Sequence, residues 1–223
     1  FPKIKYPTSG TEFWQVPTGG DNPKPVDELH VVVLEKATCR VFYPKNEEPT
    51  EGALPTCMSA DSIKPDPGSK IPQHETCEGC PNSVWGSGRD GQGQACKTRV
   101  QTFVLIDTPD NKGGGQLDTF PTRISLPPTA LREFSHYVVL LAQARKALSF
   151  YTTRFGLTNA QSKGGKTFSK LDPKLGRKLS MPEMKYVKQV KETYASLMQF
   201  SRGQALATEL ATEEAVRPDV AVE

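Results

Sequence analysis

Cys77 and Cys80 are separated by two residues, the spacing at which two thiolates from one tight turn can meet the same tetrahedral metal ion. Gly79 inside that turn and Pro81 just after it suit the backbone of such a knuckle. Cys57 upstream and Cys96 downstream would complete a four-cysteine zinc site, with His74 as the rival fourth ligand or a support for one. Four thiolates leave no open position for water or substrate, so the expected Zn2+ is structural and the expected catalytic set is empty. Zinc would also explain what holds residues 54–97 together, because that stretch is punctuated by Gly and Pro and has no long apolar run. Two other readings stay open. A disulfide framework would leave one of the five cysteines over, and plain free thiols would need no partner.

Other motifs with catalytic overtones do not hold together. Ala160 to Thr167 (AQSKGGKT) fits a permissive phosphate-binding P-loop, and Asp107 at the end of FVLID resembles its Mg2+-holding carboxylate. A P-loop must open a helix whose N–H groups cradle phosphate, whereas Phe168 to Pro173 is strand-like, and the Asp107 segment precedes the loop. A glycine-rich hairpin turn accounts for the residues better. His30 and His136 have no nucleophile arranged beside them. Hydrolytic zinc deaminases need an H-x-E or C-x-E element, and none precedes the knuckle at a suitable distance.

The elements that must position these residues follow from periodicity. Residues 1–25 are broken by five prolines and read as an irregular arm, with Phe13 and Trp14 plugging it onto a core. Leu29 to Leu34 and Cys39 to Tyr43 read as two strands of a hairpin turning at Lys36 and Ala37, with Cys39 a small buried residue. Arg99 to Asp107 is a third strand and Thr122 to Leu126 a short one. Thr129 caps a helix to Gln143, whose apolar residues Leu131, Phe134, Val138 and Leu141 recur at helical spacing. Leu148 to Leu157 and Lys166 to Leu171 form a second hairpin. Ser180 caps a final helix, with Pro182 in its first turn and Glu183 at capping-box spacing, that runs to Gly203.

The expected fold class is therefore mainly β with α (α+β): an OB-fold-like Greek-key barrel over 26–179, interrupted at 52–98 by the four-cysteine zinc module. A C-terminal helix over 180–203 and an acidic, flexible tail over 204–223 complete the expected organisation. No signal peptide or membrane-spanning run is visible, which predicts no membrane partner.

The formal net charge of +3 conceals an uneven distribution. From Leu206 onward five acids face Arg217 alone, while from Arg145 to Lys178 nine bases face only Asp172. Phe150, Tyr151, Phe155 and Phe168 are interleaved with those bases. Cations for phosphate and aromatic rings for bases are what a single-stranded nucleic acid requires. The predicted nucleic-acid-binding residues are Arg99, Arg145, Lys146, Tyr151, Arg154, Phe155, Lys163, Lys166, Phe168, Lys170 and Lys174. The strand register that places Tyr151 and Phe155 inside and Arg154 outside is preferred, the opposite register stays open, and any one aromatic is more often core than base platform. The alternative is a zinc-ribbon adaptor that docks protein partners of a replication, transcription or viral complex.

The runs PTCMSAD, CEGCPNSVWGSGRDGQGQACK and LPPTALREFSHY resemble the zinc-bearing single-stranded DNA-binding proteins of bacteriophage origin, over roughly Val26 to Phe200. The resemblance implies an OB-fold, Cys57, Cys77, Cys80 and Cys96 at metal positions, single-stranded DNA as partner, and the cytoplasm of a bacterial host. Replication or recombination proteins would meet the acidic tail, and homo-oligomers are compatible with the pattern. The tail departs from the pattern in ending Val-Ala-Val-Glu without a terminal aromatic.

Overall fold

The computed structural model describes residues 1–7, 10–17, 22–44, 55–88, 91–110, 113–162, 165 and 167–214, with side chains up to residue 198. It is a mixed α+β structure built mostly of strands, with two α-helices. The chain divides into two compact units, Phe1–Lys36 with Val100–Ala195, and Ala37–Arg99 with Ser196–Glu223.

The first unit holds the short strands β1 (Lys3–Ile4), β2 (Trp14–Val16) and β3 (Lys24–Val26), then the opening of β4 (Leu29–Phe42). Chain order continues with most of β6 (Lys97–Pro109), β7 (Gly115–Leu117), β8 (Thr122–Leu126), α1 (Pro128–Gln143), β9 (Tyr151–Gln161), β10 (Thr167–Lys178) and the start of α2 (Met181–Glu214). The second unit contains the end of β4 and β5 (Cys57–Ser59). The main sheet has the order β1-β8-β6-β4-β9-β10. Each neighbouring pair for which a register is resolved is antiparallel, apart from the parallel β1–β8 pair.

The run Val31 to Leu34 is apolar at every position because both faces of β4 are covered. Leu29, Val31 and Val33 enter a core with Phe155, Leu157, Leu171 and the α1 residues Ala130, Phe134, Tyr137 and Leu141. Val32 and Leu34 point the other way, joining Leu105, Leu179 and the α2 residues Val187 and Val190.

The arm is fastened to the first core. Trp14 is fully buried, stacks on Phe155 with centroids 6.3 Å apart, and donates its indole N–H to the Phe155 carbonyl at 2.7 Å. Tyr6 packs edge-on to Trp14 and donates to the Ser169 carbonyl, and burial raises its phenol pKa. Phe13, the other half of the expected plug, stays 40% exposed.

Several expectations need correction. The predicted hairpin at Lys36 and Ala37 is one continuous fourteen-residue strand, since neither residue favours the positive φ of a tight turn. The expected Leu148 start of the next strand is a single 3-10 turn, Leu148–Phe150, ahead of β9. The closing strand runs on to Lys178, with an irregularity between Leu175 and Lys178. There a side chain at Gly176 would press on the Thr152 carbonyl at 3.0 Å. Helix α1 begins at Pro128, with Pro127 at the cap position and no side-chain cap, so Thr129 lies two residues too far inside to cap it. Helix α2 opens on the expected capping box: Glu183 N–H points at Ser180 Oγ at 3.5 Å, and Ser180 N–H donates to Glu183 Oε2 at 2.7 Å. It continues to Glu214 rather than ending near Gly203. Among the described residues no helix is long and apolar enough to cross a membrane.

Candidate nucleic-acid interface

The β9–β10 hairpin decides which of the nine bases are free. Arg154 Nη1 lies 3.4 Å from Glu28 Oε2, Lys170 Nζ 3.2 Å from Glu133, and Lys174 Nζ 2.8 Å from Asp172. Arg177 is the most heavily bound. It donates through Nε and Nη2 to both oxygens of Asp107 at 3.0 and 2.8 Å, and through Nη1 and Nη2 to Glu183 at 3.1 and 2.7 Å. The hydrogen bonds to Asp107 first, then those to Glu183, raise the Arg177 pKa. The same guanidinium holds the Glu183 carboxyl down at about 2. Asp107, which the sequence offered as a magnesium ligand, is an ion-pair partner with a side chain 1% exposed.

Three bases remain without an acidic partner among the described residues: Arg145, Lys146 and Lys178. They converge. Arg145 follows the end of α1 with φ 54°, a left-handed conformation that turns the chain sharply toward β9. Lys146 places its ammonium 5.6 Å from the centre of the Tyr151 ring, a cation–π contact. Lys178 stands opposite Tyr151 in the hairpin register, and the next residue, Leu179, donates its N–H to the Phe150 carbonyl at 3.0 Å. Phe150 is 48% exposed at this corner. Lys146 and Lys178 thus flank the half-buried Tyr151 next to the open Phe150, and Arg145 precedes Lys146 in the chain.

The predicted site residues therefore separate into groups. Lys146 and Tyr151 come together, with Arg145 the exposed residue before Lys146. Phe155 is fully buried between Trp14 and Phe134 and presents no face to a ligand. Arg99 is 4% exposed in β6, its carbonyl accepting the Cys39 thiol at 3.5 Å. Phe168 is half-buried in β10, away from the start of β9, and Arg154, Lys170 and Lys174 are paired. Lys163 and Lys166 lie outside the described residues. Phe150 and Lys178 were missing from the predicted set. Their signal was the register: counting outward from the glycine turn sets the end of β10 beside the start of β9.

The expected zinc site is not formed. Cys57, Cys77, Cys80 and Cys96 all border one small pocket of the second unit, but no group of three or more His, Cys, Asp or Glu among the described residues could hold a metal ion. All four are buried free thiols, and Cys57 and Cys96 pack with Phe42 as small apolar groups. Burial pushes the Cys96 thiol up to about 12, although the nearby Arg40 charge opposes this. A knuckle's spacing constrains only its own two sulfurs, and Cys57 and Cys96 have no such local tie.

Hydrogen bonds hold the segment instead. Cys77 N–H donates to Ile63 O and Cys96 N–H to Asn82 O, each at 2.8 Å, while Asp61 accepts from Ser59 and from the N–H of Ile63. His74 is exposed, its Nδ1 accepting the Thr76 N–H at 3.2 Å.

No protein-family model, curated protein or solved structure matches the chain.

Proposed function

We propose that the protein binds single-stranded DNA with little regard to sequence, protecting or organising it during replication or recombination, as the resemblance to phage single-strand binders implies. One observation carries this reading: the corner where Lys146 lies over the Tyr151 ring and Lys178 stands opposite it, beside the exposed Phe150, with Arg145 next in the chain and no acidic partner for these three bases among the described residues. Phosphates meet the cations there and a base meets the exposed ring, the two parts single-strand binding requires.

The topology supports the same reading. Taking β4, β6, β8, β9 and β10 as strands one to five, the sheet order is 3-2-1-4-5 with α1 between the third and fourth, as suits an OB barrel. Lys163 and Lys166 then fall in the connection of strands four and five, one of the loops with which OB-folds bind oligonucleotides. In this reading the protein works by equilibrium binding rather than catalysis, and the acidic residues from Leu206 to Glu223 meet replication or recombination proteins.

The test is fluorescence anisotropy of a labelled oligo-dT against wild type and the Arg145→Ala/Lys146→Ala/Lys178→Ala variant across a salt series. Single strands lose about 0.7 in log–log salt slope per phosphate contact removed, so the variant should flatten the slope by about 2. An unchanged slope would move the site elsewhere. No oligo-dT binding at low salt, or duplex bound as tightly, would refute the proposal.

A further inference from the structure

We infer that Trp85 is a second stacking contact for an unpaired base, set on the cysteine-rich unit and working without phosphate capture. This rests on the reading of the chain as a single-strand binder. Trp85 is 80% exposed, the most exposed of the large apolar side chains among the described residues, whereas Trp14 is fully buried.

The loop beneath Trp85 is held firmly. Gly86 N–H donates to Gly93 O at 2.7 Å. Ser87 Oγ lies 3.0 Å from Asn82 O and 2.6 Å from Val84 O, and accepts the Ala95 N–H at 3.0 Å. Gln94 Nε2 donates to Ser83 O at 2.6 Å. The ring is therefore offered to solvent from a backbone that is already ordered, which removes part of the entropy cost of binding.

The surroundings select a base rather than a protein surface. Gly86, at φ 93°, turns the chain immediately after the indole, and a side chain added at Gly91 or Gly93 would meet nothing within 4 Å. Val84, 58% exposed, is the one large apolar residue beside it in the sequence from Pro81 to Cys96, which otherwise carries the polar residues Asn82, Ser83, Ser87, Gln92 and Gln94 and the opposed charges Arg89 and Asp90. The buried centre of a protein interface is more apolar than its rim, and beside Trp85 this loop offers only Val84 for such a centre.

The charge balance fixes the character of the contact. From Ala37 to Arg99 the sequence has seven bases and eight acids, so this segment adds no net attraction for phosphate. Its contribution is stacking, which is insensitive to salt, in contrast to the Arg145, Lys146 and Lys178 corner.

With only two tryptophans in the chain, and one fully buried, indole emission reports the contact directly. The full chain is titrated with a labelled oligo-dT while label anisotropy and tryptophan emission are read from the same sample. Emission should be quenched along the binding isotherm in wild type and not in Trp85→Phe. Trp85→Ala should weaken binding about tenfold by the same factor at low and high salt, leaving the slope intact. Binding without quenching, quenching retained in Trp85→Phe, or wild-type affinity in Trp85→Ala overturns the inference while the single-strand reading stands. No binding by anisotropy at low salt overturns both. Unchanged Trp14 emission and melting temperature in the variants show that the fold is intact.

Discussion

Replacing Arg177 by Leu separates a structural cation from a phosphate contact. The guanidinium is 18% exposed and bridges Asp107, 1% exposed, to Glu183, 24% exposed, through four hydrogen bonds. Removing it leaves the Asp107 carboxylate buried without its counter-charge, the situation that costs about 3–5 kcal/mol when a buried pair is broken. Glu183 adds less, on the order of 1 kcal/mol or below, because it faces solvent and keeps the Ser180 N–H and Oγ at 2.7 Å. The expected loss is therefore about 3–5 kcal/mol, dominated by Asp107. Arg177→Lys should lose less, since it keeps the charge but not the two-pronged geometry. Arg177→Leu with Asp107→Leu should recover much of the loss, because no buried charge is then orphaned. The assay is denaturant unfolding followed by Trp14 emission in the Trp85→Phe background, so that the first unit is read alone. A loss below about 1 kcal/mol at unchanged m-value would refute the argument. So would a drop in oligo-dT affinity without loss of stability, which would make Arg177 a ligand contact.

Two further predictions follow from the same contacts. The Glu183 carboxyl is held at about 2 against an ordinary value of 4.5, so its contribution is fully present above pH 4.5 and is lost as pH falls toward 2. Glu183→Gln should accordingly show a shallower loss of melting temperature than wild type between pH 5 and about 2, and parallel curves would contradict the assignment. Trp14→Ala removes a fully buried indole that stacks on Phe155 and donates to its carbonyl; it should destabilise the first unit by about 3–5 kcal/mol, read by thermal circular dichroism. A change under about 1 kcal/mol would show that the arm is not part of that core.

Local rules made some elements legible before any coordinates. Ser180 and Glu183 announced the start of α2 because a capping box is satisfied within four residues. The α1 stripe and Thr122–Leu126 were equally plain, since one face or one short buried run suffices. The Lys36 and Ala37 turn failed for the complementary reason. Polar residues inside a strand look like a break when the strand continues beyond the core, and only their lack of turn chemistry argued otherwise. The cysteine spacing likewise constrains the turn between Cys77 and Cys80 but not Cys57 or Cys96, so a metal site could be written but not fixed.

The candidate site was half legible, and the missing half was pairing. A charge count treats Arg154, Lys170, Lys174 and Arg177 alike with Arg145, Lys146 and Lys178, yet the first four meet carboxylates. Two of those carboxylates, Glu28 and Asp107, lie 126 and 70 residues away in sequence, beyond the reach of any local pattern. The aromatics divide in the same way, because interleaving with bases does not say which side of the sheet a ring occupies. Phe155 shares its face with Val31 and Leu157 and is core, while Phe150 closes the 3-10 turn immediately before the strand and is open. The hairpin register was the informative quantity. Once Tyr151 is set opposite Lys178, that lysine, Lys146 and the open Phe150 fall at one corner, and a dispersed surplus of positive charge becomes a candidate site with an address.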